Sequence, residues 1–180
     1  MDITFEGQVY PFRPWKPDFG PVFTDTFAFD CETTRIDEAR HWITPAYVLG
    51  AAFDGRRGHF VTREHLAAFW QAHAHLPVVF HHAAFDLAVL RQAEPTLDVY
   101  AKVEAGLVWD TLLLHRLYAL ATAGHTAGGK GEATLETCAK LYLGVELPKD
   151  ATDAEGRGVR TSYARRPTSR RCTWSTSPRT

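Results

Sequence analysis

Phe27-Ala-Phe-Asp-Cys-Glu-Thr-Thr34 constrains this chain more than any other stretch, because apolar and acidic side chains alternate in it with a period of two. Residues i and i+2 of a strand share a face, so Phe27, Phe29 and Cys31 point one way while Asp30 and Glu32 project together from the other. The expectation is a strand with one covered face that ends in two carboxylates. A close carboxylate pair repels, and one acid tends to stay protonated unless a divalent cation or a base neutralises it. The chain holds 21 acidic residues in 180, so Asp-x-Glu arises readily by chance. A solvated strand end is therefore the competing reading of the pair.

At 180 residues and 45% apolar content the chain can bury one ordinary core, and one domain is expected. Charge is unevenly placed: residues 151–180 carry seven Arg against Asp153 and Glu155, leaving 13 basic against 19 acidic residues before them, a balance of −6. An acidic body does not attract phosphate at long range, so nucleic-acid binding would have to rest on a local site and on metal ions. Cys31, Cys138 and Cys172 form no Cys-x-x-Cys pair, which argues against a zinc knuckle or a disulfide framework. His73-x-His75 and His81-His82 lack partners at a zinc spacing and read as structural or surface histidines. No run approaches the roughly 18 apolar residues of a membrane span, and no signal-peptide pattern opens the chain. A cytoplasmic location is expected.

Residues 1–22, with Pro11, Pro14, Pro17 and Pro21 among Tyr10, Phe12, Trp15 and Phe19, read as an extended N-terminal arm. Residues 23–31, 47–53 and 59–62 read as an antiparallel three-strand meander, with Tyr47, Leu49, Ala51 and Phe53 alternating along the second strand. Thr62 is placed to cap a helix with Leu66, Phe69, Trp70 and His73 on one stripe, which Pro77 stops. Residues 78–80 suit a buried strand feeding a helix over about 83–92, which sets Asp86 near the strand's carboxyl end. After a further apolar run at 107–109, Asp110 sits where a Leu-rich helix would take its N-cap. Thr134 then caps a helix whose buried face is Leu135, Cys138, Ala139 and Tyr142, and Gly144 ends it. Three strands followed by alternating helices and strands make an α/β fold. Residues 164–180 show neither periodicity and read as a disordered basic tail.

Together, Phe29-Asp-Cys-Glu-Thr-Thr34, His81-His-Ala-Ala-Phe-Asp86 with Leu90, and Trp109-Asp-Thr-Leu-Leu113 resemble the 3'-5' exonuclease superfamily with four acidic residues. With Thr134-Leu-Glu-Thr-Cys-Ala-Lys-Leu-Tyr-Leu-Gly144 the pattern looks most like the proofreading exonuclease domain of family A DNA polymerases and its stand-alone relatives, over about residues 23–163. The resemblance implies a ribonuclease H-like mixed sheet, three antiparallel strands followed by parallel ones, with flanking helices and two bound Mg²⁺ or Mn²⁺ ions. Such ions activate water and stabilise the departing 3' oxygen. Carried over by position, Asp30 would bind both metals, Glu32 the metal on the nucleophile side, and Asp86 the other. Thr33 and Thr34 would either contact the terminal nucleotide or simply end the strand. His82 stands where the family usually has Asn, which alters its contact to the substrate backbone, and Phe85 would either wedge near a base or pack in the core. For Asp110 a capping role is preferred to a catalytic one. The implied activity is removal of nucleoside monophosphates from the 3' end of single-stranded DNA or DNA ends, with a DNA polymerase as partner. Two other readings remain: a catalytically defective module that holds nucleic acid or scaffolds a polymerase, and an RNA-processing 3'-5' exonuclease.

The family's third motif, Tyr-x-x-x-Asp or His-x-x-x-x-Asp, is not found. Tyr142 is followed at that offset by Glu146, Tyr163 by Pro167, and His125 by Lys130, while Asp150 and Asp153 have no aromatic partner. The expected domain is therefore incomplete at its C-terminal side, its activity impaired and part of the apolar face of its sheet exposed. Losing about 4 kcal/mol of transition-state stabilisation is near a thousandfold in rate. A frameshift after about Tyr163 would account for the tail. In the frame that starts at the third base of each codon, Ser175-Thr176 and Arg179-Thr180 each give a triplet NAC, four codons apart, which can encode Tyr and Asp. Sequencing the gene is expected to show TAC and GAC at those two places; any other triplet removes the proposal.

Overall fold

Burial of Phe27, Phe29 and Cys31 along one face of strand β3 (Phe27–Thr33) is the step on which the sheet is built. The computed structural model describes residues 2–147 apart from residues 6, 41 and 130. The end of the expected domain at 163, the basic tail and its frameshift lie outside the described residues. Between Phe27 and Glu32, β3 alternates strictly between buried and exposed residues. It is flanked by β4 (Tyr47–Phe53), antiparallel, and β6 (Val78–Phe80), parallel. β5 (Gly58–Val61) adds antiparallel to β4, and β7 (Val108–Asp110) adds parallel to β6. This is the α/β, ribonuclease H-like order of antiparallel strands followed by parallel ones.

The segment expected to form an N-terminal arm is instead a hairpin that widens the sheet. β1 (Asp2–Phe5) pairs with β2 (Gln8–Pro14), and β2 runs parallel to β5, giving the order β1-β2-β5-β4-β3-β6-β7. Proline is tolerated in β2 because its ladder with β5 covers only Phe12–Pro14, which leaves Pro11 outside that ladder and Pro14 at its end. Phe12 holds the hairpin in place, its ring stacked on Phe53 at 5.8 Å. It also lies over Gly58, where any added Cβ would come within 2.1 Å of that ring. A glycine at that site is what lets an aromatic ring cross the strand.

One departure from strict alternation occurs in β4. Glu32 pairs with Leu49 but Thr33 pairs with Tyr47, so Val48 is an extra residue, a β-bulge at the carboxyl end of β3. The bulge flips the face, and Tyr47 is buried together with Gly50 and Ala52 rather than with Leu49, Ala51 and Phe53 as the alternation predicts. The Tyr47 hydroxyl donates to Val61 O at 2.7 Å.

Helices α1 (Leu66–Ala72) and α2 (Ala83–Ala93) bury Leu66, Phe69, Trp70, Leu87 and Leu90 in one core with Phe27 and Phe29. Thr62 gives no side-chain cap to this region; its hydroxyl lies 3.3 Å from His65 Nδ1, and a short 3-10 turn, Arg63–His65, precedes α1. His73 follows α1 and is fully buried. Its Nδ1–H donates to Phe69 O at 2.8 Å, and Nε2 accepts from the amides of Val22 at 3.0 Å and Phe23 at 3.4 Å. That arrangement requires the neutral ring, and burial pushes its pKa down accordingly.

Helix α3 (Val99–Glu104) is absent from the sequence reading because six residues are too few for a periodic signal. Helices α4 (Thr111–Ala123) and α5 (Leu135–Leu143) complete the described order. On α5, Cys138 and Ala139 are buried, but Leu135 and Tyr142 are half exposed rather than core. Exposed apolar side chains gather on α4, where Leu113, Leu117, Tyr118 and Leu120 are about half accessible, more than on the sheet.

Lys102 of α3 does the work of a cap for the end of α1. Its buried Nζ donates to the carbonyls of His73 at 2.8 Å, Ala74 at 2.9 Å and Leu76 at 2.5 Å, and it stands over the Trp70 ring. Burial lowers its pKa to about 8, which leaves it mostly protonated at neutral pH. Lys102→Met leaves the carbonyl of buried Leu76 without this donor and weakens the ties at His73 and Ala74, and is expected to destabilise the fold by about 1–3 kcal/mol, measured by urea unfolding at pH 7.

Candidate active site

Asp30 and Glu32 lie on the exposed face of β3, opposite Phe29 and Cys31, as their spacing predicts. Asp86 reaches the same strand from the first turns of α2. It is 2% exposed, and its Oδ1 accepts the amide of Cys31, the residue between the two acids, at 3.0 Å. Asp86 thus meets β3 at the residue between the two acids. Burial and then the nearby Asp30 charge raise the Asp86 pKa to about 7, against the lowering effect of the Cys31 amide bond. Cys31 is buried behind the carboxylates; burial and the Asp86 charge push its thiol far up, which makes it an unreactive packing residue.

Oxygen donors of this kind suit hard divalent cations. The side chains do not close around a common point, however: among the described residues no group of three His, Cys, Asp or Glu is placed to hold an ion.

The other predicted residues divide between site and scaffold. Thr34 is engaged in closing the strand end, its Oγ1 accepting from Ala46 N at 3.0 Å and its own amide donating to Ala46 O at 2.8 Å. Thr33 is partly buried at the bulge. His82 is exposed at the N-terminus of α2 in the left-handed region, φ 83° and ψ 54°. That conformation costs a non-glycine residue of order 1–2 kcal/mol, and Asn tolerates it better than His. The His82 ring lies parallel to Phe85 at 6.2 Å, and Phe85 is partly buried against the core.

Asp110 is an N-cap, and it caps more than sequence shows. Its Oδ1 accepts from Leu112 N at 2.9 Å and Leu113 N at 3.3 Å at the start of α4. The same oxygen accepts from His82 N at 3.1 Å, and Oδ2 accepts from Ala83 N at 2.9 Å, at the start of α2. The neighbouring Thr111 hydroxyl donates to Phe80 O at 3.1 Å and lies 2.8 Å from His81 Nδ1. His81 Nε2 donates to Ala133 O at 3.1 Å, tying in the segment before α5. The Asp-Thr-Leu-Leu pattern signalled only the capping of α4; the other links join residues about 30 apart, or 52 for His81 and Ala133, and left no local trace.

No protein-family model matches the sequence, and no functionally curated protein matches it significantly. Solved structures do match in fold. The Nibbler EXO domain of Aedes aegypti aligns with a TM-score of 0.54 at 14% identity, over 74% of this chain and 65% of that one. This chain shares the fold of that domain. Brucella melitensis NrnC with bound Mg²⁺ aligns at 0.51 with 18% identity, over 86% of this chain and 72% of that one. Escherichia coli RNase D, an exoribonuclease involved in structured RNA processing, aligns at 0.50 with 17% identity, over 86% of this chain but only 40% of its own length. The chain therefore spans less than two thirds of Nibbler's domain and of RNase D.

The position of Asp86 sets a pH dependence. Its folded-state pKa of about 7 lies above the ordinary 3.8, so as pH rises from about 4 the unfolded chain loses this proton first. The metal-free fold is expected to lose stability until about pH 7 and to stay level above it. Asp86→Asn should remove this slope and stabilise the metal-free protein at pH 7.5 by up to about 4 kcal/mol, with no difference near pH 4. Thermal unfolding in EDTA across that range measures it.

Proposed function

We propose that this chain is a metal-dependent 3'-5' exonuclease domain that hydrolyses the terminal phosphodiester of a nucleic-acid strand. The observation that carries this is the Asp86 carboxylate bonded to the amide between Asp30 and Glu32, which brings a third acid to the carboxyl-terminal half of β3. Asp30, Glu32 and Asp86 would hold Mg²⁺ or Mn²⁺, two ions in a complete site. When bound, these ions lower the pKa of water and neutralise charge on the departing 3' oxygen. The terminal phosphate would lie at the strand end, bordered by the backbone at Thr33 and, on the α2 side, by the exposed His82 ring and the partly buried Phe85 ring.

RNA is the substrate we favour, because the RNase D likeness is to an exoribonuclease. The resemblance of the sequence motifs to polymerase proofreading domains supports DNA 3' ends, with a DNA polymerase as partner, as the second reading. Among the described residues no helix is long and apolar enough to cross a membrane, and a cytoplasmic location fits this activity. With no Tyr-x-x-x-Asp motif in residues 1–180, turnover is slow, of order a thousandfold below a complete site.

Incubating 5'-labelled single-stranded RNA and DNA with the protein and Mn²⁺ tests the assignment. A ladder that shortens from the 3' end, faster on RNA, is expected. It should vanish in EDTA and fall at least about a hundredfold in Asp30→Ala, roughly 3 kcal/mol in the barrier. Faster loss of DNA would favour the proofreading reading, binding without a ladder would make the chain a defective module, and a ladder that survives Asp30→Ala would remove Asp30 from the chemistry.

A further inference from the structure

We infer that Asp110 is the positioning residue for Asp86: one carboxylate clamps the turn from β6 into α2 to the start of α4, and so aims the buried acid at β3. The inference rests on the nuclease reading only in naming Asp86 a metal ligand. Four amides on two helices converge on this one side chain, at 2.9–3.3 Å. An ordinary N-cap satisfies one or two amides of its own helix with a single oxygen. Here the second oxygen belongs wholly to the other helix, since Oδ2 takes Ala83 N.

The clamped turn is one that needs holding. His82 is one of only two described non-glycine residues with positive φ, and it is the residue that immediately precedes α2. Asp86 follows one helical turn later, and an α-helical turn is stiff enough that fixing residues 82 and 83 fixes where residue 86 points. The register supports the clamp from the sheet side, for Phe80 of β6 pairs directly with Asp110 of β7. Thr111 doubles it through Phe80 O and the His81 ring. The chain of contact runs from the α4 cap through the amides of His82 and Ala83 along the first turn of α2 to Asp86, and ends on the Cys31 amide.

The chemistry of the carboxylate separates this role from plain capping. Asn and Thr are good N-caps for α4, but each offers one acceptor oxygen. In Asp110→Asn the amide nitrogen would face the Ala83 N–H donor to donor, and Asp110→Thr has nothing to place there. Both variants should keep α4 capped, and with it the His82 amide on the same oxygen, while releasing Ala83 N at the start of α2.

The test uses the whole chain and compares wild type, Asp110→Asn and Asp110→Thr by residue-resolved amide exchange and by Mn²⁺ titration followed through water proton relaxation. In both variants the amides of Ala83 and Cys31 are expected to exchange about tenfold faster with α4 unchanged, and Mn²⁺ affinity to fall about tenfold. Wild-type protection at Cys31 in both variants would overturn the inference. Equal loss of protection across α4 and β3 would overturn it as well, because Asp110 would then serve the whole fold rather than this turn. If wild type binds no Mn²⁺, the nuclease reading fails, while exchange at Cys31 still decides whether Asp110 aims Asp86.

Discussion

Everything near the site follows from the opposed chemistry of the two faces of β3. Phe27 and Phe29 are almost fully buried, and with Phe69, Trp70, Leu87 and Leu90 they form the contact that brings α1 and α2 onto one side of the sheet. Carboxylates at Asp30 and Glu32 cannot share that side, because burying an ionised acid without a partner costs far more than the packing returns. They are left on the open face at the strand's carboxyl end, where the bulge at Val48 interrupts pairing. Helix α2, drawn in by Leu87 and Leu90, delivers Asp86 to the same place. The site is thus a by-product of core formation that carries electrostatic strain of its own, visible in the raised pKa of Asp86.

Of the buried polar groups elsewhere, His73 and Lys102 are satisfied by the backbone, whereas His115 Nδ1 lies 2.8 Å from the Tyr142 hydroxyl, and His59 Nδ1 and His115 Nε2 have no hydrogen-bond partner among the described residues. His73 joins the end of α1 to the chain entering β3, and Lys102 gathers three carbonyls from the segment between α1 and β6. Each closes a stretch of chain whose own amides or carbonyls have no helical or sheet partner, which is the usual demand at a helix end. Neither residue faces the carboxylates, so the nine histidines and the basic residues of this acidic chain divide into structural and surface roles without forming a second centre among the described residues.

Legibility in the sequence tracked the range of the interaction. The strand at Phe27, the helix after Phe80, the Asp110 and Thr134 caps and the Gly144 stop were all readable, since each rests on neighbours within one turn or one strand period. The N-terminal prolines masked a hairpin, because Phe12 is held by Gly58 and Phe53, which are distant in sequence. Tyr47 was assigned the wrong companions for a similar reason: a bulge is a property of the pairing between two strands, and neither strand announces it alone. Leu135 and Tyr142 looked like core by periodicity, yet a helical stripe says only which residues share a face, and not whether anything covers it.

For the site itself, sequence determined which acids exist, which two share a face, and that a third stands at the mouth of a strand-to-helix turn. Those are consequences of covalent geometry and period, and they hold in any fold that buries Phe27 and Phe29. Tertiary structure alone decided that Asp86 binds the amide between the other two, that its charge is opposed by burial, and that Asp110 shares its carboxylate between two helices. Backbone amides carry no side-chain identity, so a contact made to them across about 30 or 55 residues leaves nothing in the sequence to read.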